Sequence, residues 1–102
     1  MLFIVTGTDY PNSLDKRMAT REAHIAHIES MKAARKIAFG AARLDEAGKM
    51  KGSVLVCVCD SRQELDEWLD KEPYIKNGVW ESVSIEECKL APTFAARFPD
   101  VA

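Results

Sequence analysis

The amino-acid sequence predicts an α+β fold of the ferredoxin-like type, in which the elements follow the order β-α-β-β-α-β around an antiparallel sheet. Two observations predict this class. Four short apolar runs alternate with two helical patterns in that order along the chain. A length of 102 residues suits one small domain and excludes larger folds such as TIM barrels. We therefore predict a single domain over residues 1–102, with an irregular tail over about residues 90–102.

The first half of the chain supplies a strand, a long helix and a second strand. Residues 2–6 are apolar and β-branched, which is typical of a strand. After a run of turn residues, apolar positions recur every three or four residues from Leu14, which predicts a helix to about Arg35. Residues 37–44 form a second apolar run, and Gly40 within it indicates a bulge or a close approach by another group.

The second half predicts two further strands around a shorter helix. Residues 53–59 have few polar positions, so we place this strand at the centre of the sheet. Ser61 begins a capping box, and the helix that follows should end before Pro73 because proline disfavours helical geometry in its predecessor. Residues 74–78 are expected to form a loop. Residues 79–88 alternate in polarity, which predicts a half-buried strand.

Charge and hydropathy exclude several classes of partner. Lys and Arg number 14 and Asp and Glu 16, so the formal charge of −2 offers no basic surface of the kind that binds nucleic acid. No apolar run approaches the roughly 20 residues of a membrane helix. The first residues, Met1 to Val5, indicate a strand rather than a signal peptide. We expect neither nucleic acid nor a membrane as a partner.

The three cysteines predict buried thiols in a reducing compartment. Cys57 and Cys59 are two positions apart and so share one face of a strand, and Cys88 ends the last strand. The sequence contains no CxxC pair and no histidine close to these cysteines, as a zinc site would require. These features favour a cytoplasmic protein with no metal.

Two of the predicted strands are apolar on both faces. Residues 2–5 and 54–58 carry apolar side chains at successive positions, although the helices of one subunit can cover only one face of the sheet. A chain of this length also builds only a thin core. We therefore expect a homodimer in which the open sheet faces pack together, with larger assemblies of such dimers left open.

The first helix carries the most informative polar residues. Arg17, Arg21 and His24 follow one another at i, i+4 and i+7 and form a stripe beside the apolar face. Arg21 falls within that face, which is formed by Leu14, Met18, Ile25 and Ile28. A cation there is costly unless an anion meets it. This pattern fits either an Arg–carboxylate pair in the core, with His24 at its edge, or a site for an anionic ligand. His27 is expected to be solvated.

A second candidate is the carboxylate of Glu72, which precedes Pro73 and Tyr74. Placed at the end of the second helix, this carboxylate opposes the helix dipole, which costs stability. Such a local conflict is sometimes found at functional residues. The alternative is an ordinary solvated glutamate on a charged helix.

Six short patterns, taken in order, resemble one family. They are Gly7-Thr8-Asp9-Tyr10 after the first strand, Arg17-x-x-x-Arg21-x-x-His24 on the helix, Gly40, Gly48-Lys49-Met50-x-Gly52-Ser53, Glu72-Pro73-Tyr74 and Gly78. Over about residues 1–90 the chain resembles the YciI-like (YCII-related) family of small dimeric α/β-barrel proteins. The resemblance implies a subunit that dimerises through its sheet, with a pocket between the first helix and the sheet.

The resemblance also implies a His–carboxylate pair made of His24 and the residue before Pro73. This chain has Glu72 where the family has Asp, so the carboxylate reaches one methylene further. One branch of the family is associated with dehydrochlorination of a chlorinated hydroxyquinol and uses its His–Asp pair as acid and base. An imidazole titrates near neutral pH and can exchange protons, while a carboxylate fixes its tautomer.

Two functions therefore compete. The first is a cofactor-independent acid/base enzyme of the lyase or isomerase type that acts on a small anionic molecule. In this reading His24 is the base, Glu72 orients it, and Arg17 and Arg21 bind the anion. The alternative is a non-catalytic dimer that binds a small ligand or serves as an accessory protein. A haem or metal protein is less favoured, because His24 and His27 are the only histidines; we expect no cofactor.

Overall fold

The computed structural model describes residues 1–101. They form a four-stranded antiparallel sheet with helices on one face. The elements are β1 (Leu2–Asp9), α1 (Leu14–Ala33), β2 (Ile37–Leu44), β3 (Met50–Val58), α2 (Arg62–Leu69), α3 (Pro73–Lys76), β4 (Trp80–Cys88) and a 3₁₀ turn (Pro92–Phe94). The strand order is β2-β3-β1-β4, and all three pairings are antiparallel. The predicted ferredoxin-like α+β fold, with β3 inside the sheet, is confirmed.

The core lies between the sheet and the helices. Val5 and Cys57 are fully buried on the helix-covered face of β1 and β3, and Leu65 of α2 packs over them. Cys59 is also buried, as predicted, and Cys88 is half-buried. Desolvation raises the pKa of the Cys57 thiol to about 12. Since the thiolate is the reactive form, Cys57 behaves as a small apolar residue of the core.

The prediction of which face of α1 is buried is wrong. Met18 and Ile25 are 50% and 41% exposed, and Arg21 is exposed as well. The buried residues of α1 are instead mostly polar: Arg17, Thr20, His24 and Met31. Burial of this polar stripe is possible because Arg17 and His24 each meet a carboxylate from another element, which compensates for the water they lose.

The region after α2 also differs from the prediction. The expected loop over residues 74–78 contains a helical turn, α3, which Pro73 begins at its first position. Proline suits that position because its fixed φ matches the helix and its missing N–H has no partner to lose. Glu72 is therefore the N-cap of α3 rather than the end of α2, and its carboxylate now complements the helix dipole.

A bulge reorients the start of β4. The register between β1 and β4 shifts at Thr8 and Asp9, so that Trp80 pairs with Asp9 while the remaining pairs follow a regular antiparallel ladder. The bulge breaks the predicted alternation and turns Trp80 into the core. The ring of Trp80 occupies the space beside Gly7, so a Cβ at position 7 would overlap it.

The tail lies against its own chain. An exposed ion pair joins Asp100 to Arg35 (3.3 Å), which lies just after α1. Phe98 and Val101 line two cavities of about 190 and 280 Å³ together with Ala38 of β2. Residue 102, the end of the predicted irregular tail, lies outside the described residues. Within residues 1–101, no helix is long and apolar enough to cross a membrane.

Candidate functional site

A cavity of about 220 Å³ lies between α1 and the β2–β3 hairpin. Its lining includes the polar side chains of Arg17, Arg21 and His24 of α1 together with Ser53 and Tyr74. The apolar side chains of Ile25, Ile28, Met50 and Leu55 line it as well. The arrangement suits a small ligand with a flat apolar body and one or more anionic oxygens.

Small residues on β2 leave room for the cavity. Gly40 pairs with Leu55 and Ala42 pairs with Ser53, so both point to the same side of the sheet as these two buried residues. A Cβ at position 40 would lie 2.9 Å from Leu55 Cδ2. Larger side chains at these positions would therefore fill the space under α1.

His24, which lines the cavity, forms a buried pair with Glu72. The Nδ1 atom of His24 is hydrogen-bonded to Oε1 of Glu72, and the two residues are 7% and 0% exposed. Oε1 also accepts the backbone N–H of Tyr74 (3.2 Å), which is the N-cap bond of α3. Because Nδ1 is occupied, Nε2 is the ring nitrogen left for a ligand in the cavity. The extra methylene of Glu72 does not prevent the contact.

Two aromatic side chains surround the imidazole of His24. The ring of Tyr74 stacks on it, with centroids 3.9 Å apart and planes 13° from parallel, and Trp80 approaches edge-on at 6.3 Å. Burial raises the pKa of the Tyr74 hydroxyl, with the charges of Arg17 and Arg21 opposing the shift. The hydroxyl is thus a neutral group at physiological pH.

Arg17 is held in place by two partners. Its guanidinium donates to both oxygens of Asp9 (2.9 and 3.2 Å) and to Ser53 Oγ (2.6 Å), and it lies 4.6 Å above the ring of Tyr74. Burial raises the pKa of Asp9 even though Arg17 opposes this effect. The Arg–carboxylate pair expected in the core therefore involves Arg17 and Asp9, and it does not involve Arg21.

Arg21 and His27 occupy different positions from those expected. Arg21 is exposed, lines the mouth of the cavity and forms no ion pair with the residues that the structure describes. His27 is not simply solvated: its ring stacks on Trp68 (4.7 Å, 12°) and its Nε2 lies 3.3 Å from the Trp68 carbonyl oxygen. His27 does not line the cavity.

Sequence reasoning did not single out Asp9, Ser53, Tyr74 or Trp80 as parts of the site. Asp9 and Ser53 occur in the family-like patterns, and Tyr74 directly follows Glu72-Pro73. These patterns are therefore the signal by which the three residues could have been found. The position of Trp80 depends on a bulge for which the sequence carries no separate signal. In residues 1–101, no group of three or more His, Cys, Asp or Glu side chains could hold a metal ion.

Comparison with known proteins identifies the family. A model of the YCII-related domain matches residues 1–89. The chain belongs to the YCII-related family. Protein YciI of Escherichia coli is 30% identical, with 87% of this chain and 97% of that protein covered. An uncharacterised protein of Haemophilus influenzae is 28% identical over the same shares of the two chains.

One solved structure combines similar sequence with similar fold. It is 5-chloro-2-hydroxyhydroquinone dehydrochlorinase (TftG) from Burkholderia phenoliruptrix, in complex with 2,5-dihydroxybenzoquinone. The two chains are 30% identical and superpose with a TM-score of 0.81, over 91% of this chain and 98% of the dehydrochlorinase. A second protein, from Mycobacterium tuberculosis, is 19% identical with a TM-score of 0.52 over 89% and 96% of the two chains, and supports the fold alone.

Proposed function

We propose that this YCII-related protein is a cofactor-independent acid/base enzyme of the lyase or isomerase type, acting on a small anionic ring. The observation that carries the proposal is the buried His24–Glu72 pair. Glu72 uses only Nδ1 of the imidazole, and His24 lines a cavity that two arginines also line. In this site His24 exchanges the proton with the ligand, and Glu72 fixes the tautomer and stabilises the imidazolium.

The size of the cavity supports a ligand with one ring. An apolar cavity of about 150 Å³ accommodates benzene, whereas pockets for drug-sized molecules begin at about 300 Å³. The cavity under α1, at about 220 Å³, lies between these values. This is the size expected for a single ring with a few hydroxyl or halogen substituents, the class to which the ligand of the dehydrochlorinase belongs.

The two arginines have different parts in the proposal. Arg21 has no partner among the described residues, so its guanidinium is available to an anionic oxygen of the ligand. Arg17 is already bonded to Asp9 and Ser53, so it contributes a fixed positive charge at the wall of the cavity instead of a free fork of donors. Both charges favour the enolate or phenolate form that an elimination passes through.

Dehydrochlorination of a chlorinated hydroxyquinol illustrates a reaction that a single His–carboxylate pair could catalyse. A hydroxyl proton moves to the chlorinated carbon, and loss of a second hydroxyl proton then expels chloride with the electron pair of the C–Cl bond. The net loss is one proton and one chloride, and no oxidant is required. An imidazole that both gives and takes protons meets this need.

Chloride release from 5-chloro-2-hydroxyhydroquinone tests the proposal. We expect the unaltered protein to accelerate release, and His24→Gln to lower kcat by about 10²- to 10⁴-fold, the usual contribution of a general acid or base. His27→Gln is the matched control, since it makes the same change one helical turn away and outside the cavity. Equal rates for the two variants would contradict the proposal. Tight binding of 2,5-dihydroxybenzoquinone at this cavity, without turnover of the chlorinated compound, would favour the non-catalytic ligand-binding alternative.

We also propose that the protein is a homodimer in which the open sheet faces meet. The face away from the helices carries half-buried Ile4, Val54 and Val56, and Phe39 beside them is 51% exposed. An apolar face of this kind favours a second copy of the sheet. Val56→Lys should convert a dimer into a monomer in sedimentation, whereas Val83→Lys, on the other face of the sheet, should not. A monomer at micromolar concentration without any substitution would contradict the dimer.

A further inference from the structure

Tyr74 contacts both members of the buried pair. Its backbone N–H donates to Oε1 of Glu72 (3.2 Å), and its ring stacks on the imidazole of His24 at a centroid distance of 3.9 Å. The residue is 1% exposed. One three-residue segment, Glu72 to Tyr74, therefore supplies both the acceptor for the imidazole and the flat surface against which the imidazole lies.

The hydrogen bond to Glu72 restrains His24 through one ring atom, Nδ1. A single hydrogen bond tolerates a range of angles, so it limits rotation about the second side-chain torsion without preventing it. The second side-chain torsion of histidine is broad, so the rotamer preference does not stop this turning. Such a rotation moves Nδ1 away from Glu72 and also displaces Nε2, the atom that must reach the ligand. A flat side chain parallel to the imidazole, within 13° in this structure, removes the freedom.

The ring of Tyr74 is itself firmly held. The backbone carbonyl oxygen of Tyr74 accepts the N–H of Val79 (2.9 Å), the residue before β4, which ties α3 to the start of that strand. The guanidinium of Arg17 lies 4.6 Å from the ring centroid, and Trp80 meets the ring edge-on at 5.7 Å. Pro73 restricts the backbone between Tyr74 and Glu72. The surface beneath the imidazole is thus fixed by contacts that do not involve a ligand.

We propose that Tyr74 is the positioning residue of this site, and that its ring, not its hydroxyl, holds the imidazole of His24 with Nε2 directed into the cavity. The effect on turnover rests on the proposed function. The effect on the orientation and tautomer of His24 does not, because it is a property of the protein without a ligand.

Two variants separate the ring from the hydroxyl. Tyr74→Phe keeps the stacked ring, and Tyr74→Leu removes it. Long-range ¹H–¹⁵N spectra of the imidazoles, recorded without ligand, report which nitrogen of His24 carries the proton. We expect Tyr74→Phe to keep the single tautomer, with the proton-bearing nitrogen unchanged. Tyr74→Leu should give a mixture, because the unsupported imidazole rotates and its Nδ1 then leaves Glu72, which fixes the tautomer. The resonances of His27, which stacks on Trp68 instead, should stay unchanged in both variants and show that the fold is intact.

The spectra decide the structural part of the proposal. If Tyr74→Leu leaves the His24 nitrogens unchanged, or if Tyr74→Phe disturbs them as much, the ring does not hold the imidazole and the proposal is wrong. Tyr74→Met, which also lacks a flat ring, replaces the leucine variant should that protein not fold.

Kinetics test the consequence for catalysis. With 5-chloro-2-hydroxyhydroquinone as substrate, Tyr74→Leu should lower kcat by about 10- to 100-fold, the effect expected when a catalytic group is displaced by up to 1 Å. KM should change less than kcat, and Tyr74→Phe should stay within about threefold of the unaltered protein. A loss of activity in Tyr74→Phe as large as in Tyr74→Leu would assign the role to the hydroxyl. Absence of turnover in every variant, with the spectra as expected, would overturn the proposed function and leave the positioning role standing.

Discussion

Replacement of Glu72 tests the energetics of the buried pair. Its Oε1 atom accepts two hydrogen bonds, one from His24 and one from the backbone of Tyr74. Glu72→Ala removes the N-cap of α3, which costs about 1 kcal/mol, and leaves the buried Nδ1 of His24 without a partner, which costs about 1–3 kcal/mol. The free energy of unfolding should therefore fall by about 2–4 kcal/mol, from these two terms.

The expected change in melting temperature is large for so small a protein. For a domain of this size 1 kcal/mol corresponds to about 4–8 °C, so Glu72→Ala should melt about 10–30 °C below the unaltered protein. Thermal unfolding followed by far-UV circular dichroism at pH 7 measures this shift. Glu67→Ala on α2 is the matched control, because Glu67 is exposed and its removal should change stability by less than about 0.5 kcal/mol.

A shorter carboxylate separates the two contributions. Glu72→Asp keeps a good N-cap residue for α3 but withdraws the carboxylate from His24, so its cost should lie near the 1–3 kcal/mol of the imidazole bond, about 1 kcal/mol less than that of Glu72→Ala. If Glu72→Ala melts within about 2 °C of Glu67→Ala, the buried contacts of Glu72 contribute nothing to stability and the reasoning fails.

Three further predictions concern the surroundings of the site. Asp9→Ala should lower the free energy of unfolding by about 3–5 kcal/mol, because it leaves the buried cation of Arg17 without its anion. A loss below about 1 kcal/mol in denaturant titration would show that the ion pair is not formed. Ala42→Leu should fill the cavity, so that the ligand loses its space while the fold persists. The affinity for 2,5-dihydroxybenzoquinone, measured by calorimetry, should fall at least about tenfold. Unchanged affinity would show that the ligand binds elsewhere. With a pKa of about 12, Cys57 should resist iodoacetamide in the folded protein at pH 8, and stability should fall as the pH rises from 9 toward 12, because the unfolded chain loses this proton first. Mass spectrometry that finds Cys57 labelled as readily as half-buried Cys88 would contradict its burial.

Local signals predicted the fold well. Strand runs such as residues 2–6 and 53–59 are recognisable because apolar, β-branched residues are concentrated there, and the order of the elements limits the topology to very few arrangements. The same signals do not predict α3. Pro73 indicates the end of one helix, but a proline is equally suited to begin the next, as it does here.

The residues of α1 alone do not predict which face of the helix is buried. The apolar pattern through Met18 and Ile25 indicated one face, yet the helix buries Arg17 and His24 because their carboxylate partners come from β1 and from the segment before α3. Partners that are 8 and 48 residues away in the chain contribute nothing to a helical periodicity. His24 and Glu72 were expected as a pair through the family resemblance, whereas the stacked Tyr74 required the three-dimensional structure.

The most direct test of the central claim is the imidazole spectrum of His24 during titration with 2,5-dihydroxybenzoquinone. Our account predicts that the Nε2 resonance shifts as the ligand binds, that Nδ1 remains in its hydrogen bond to Glu72, and that His27 does not respond. His24 nitrogens that stay unchanged at millimolar ligand, or a response at His27 in their place, would contradict the claim that this pair faces the ligand.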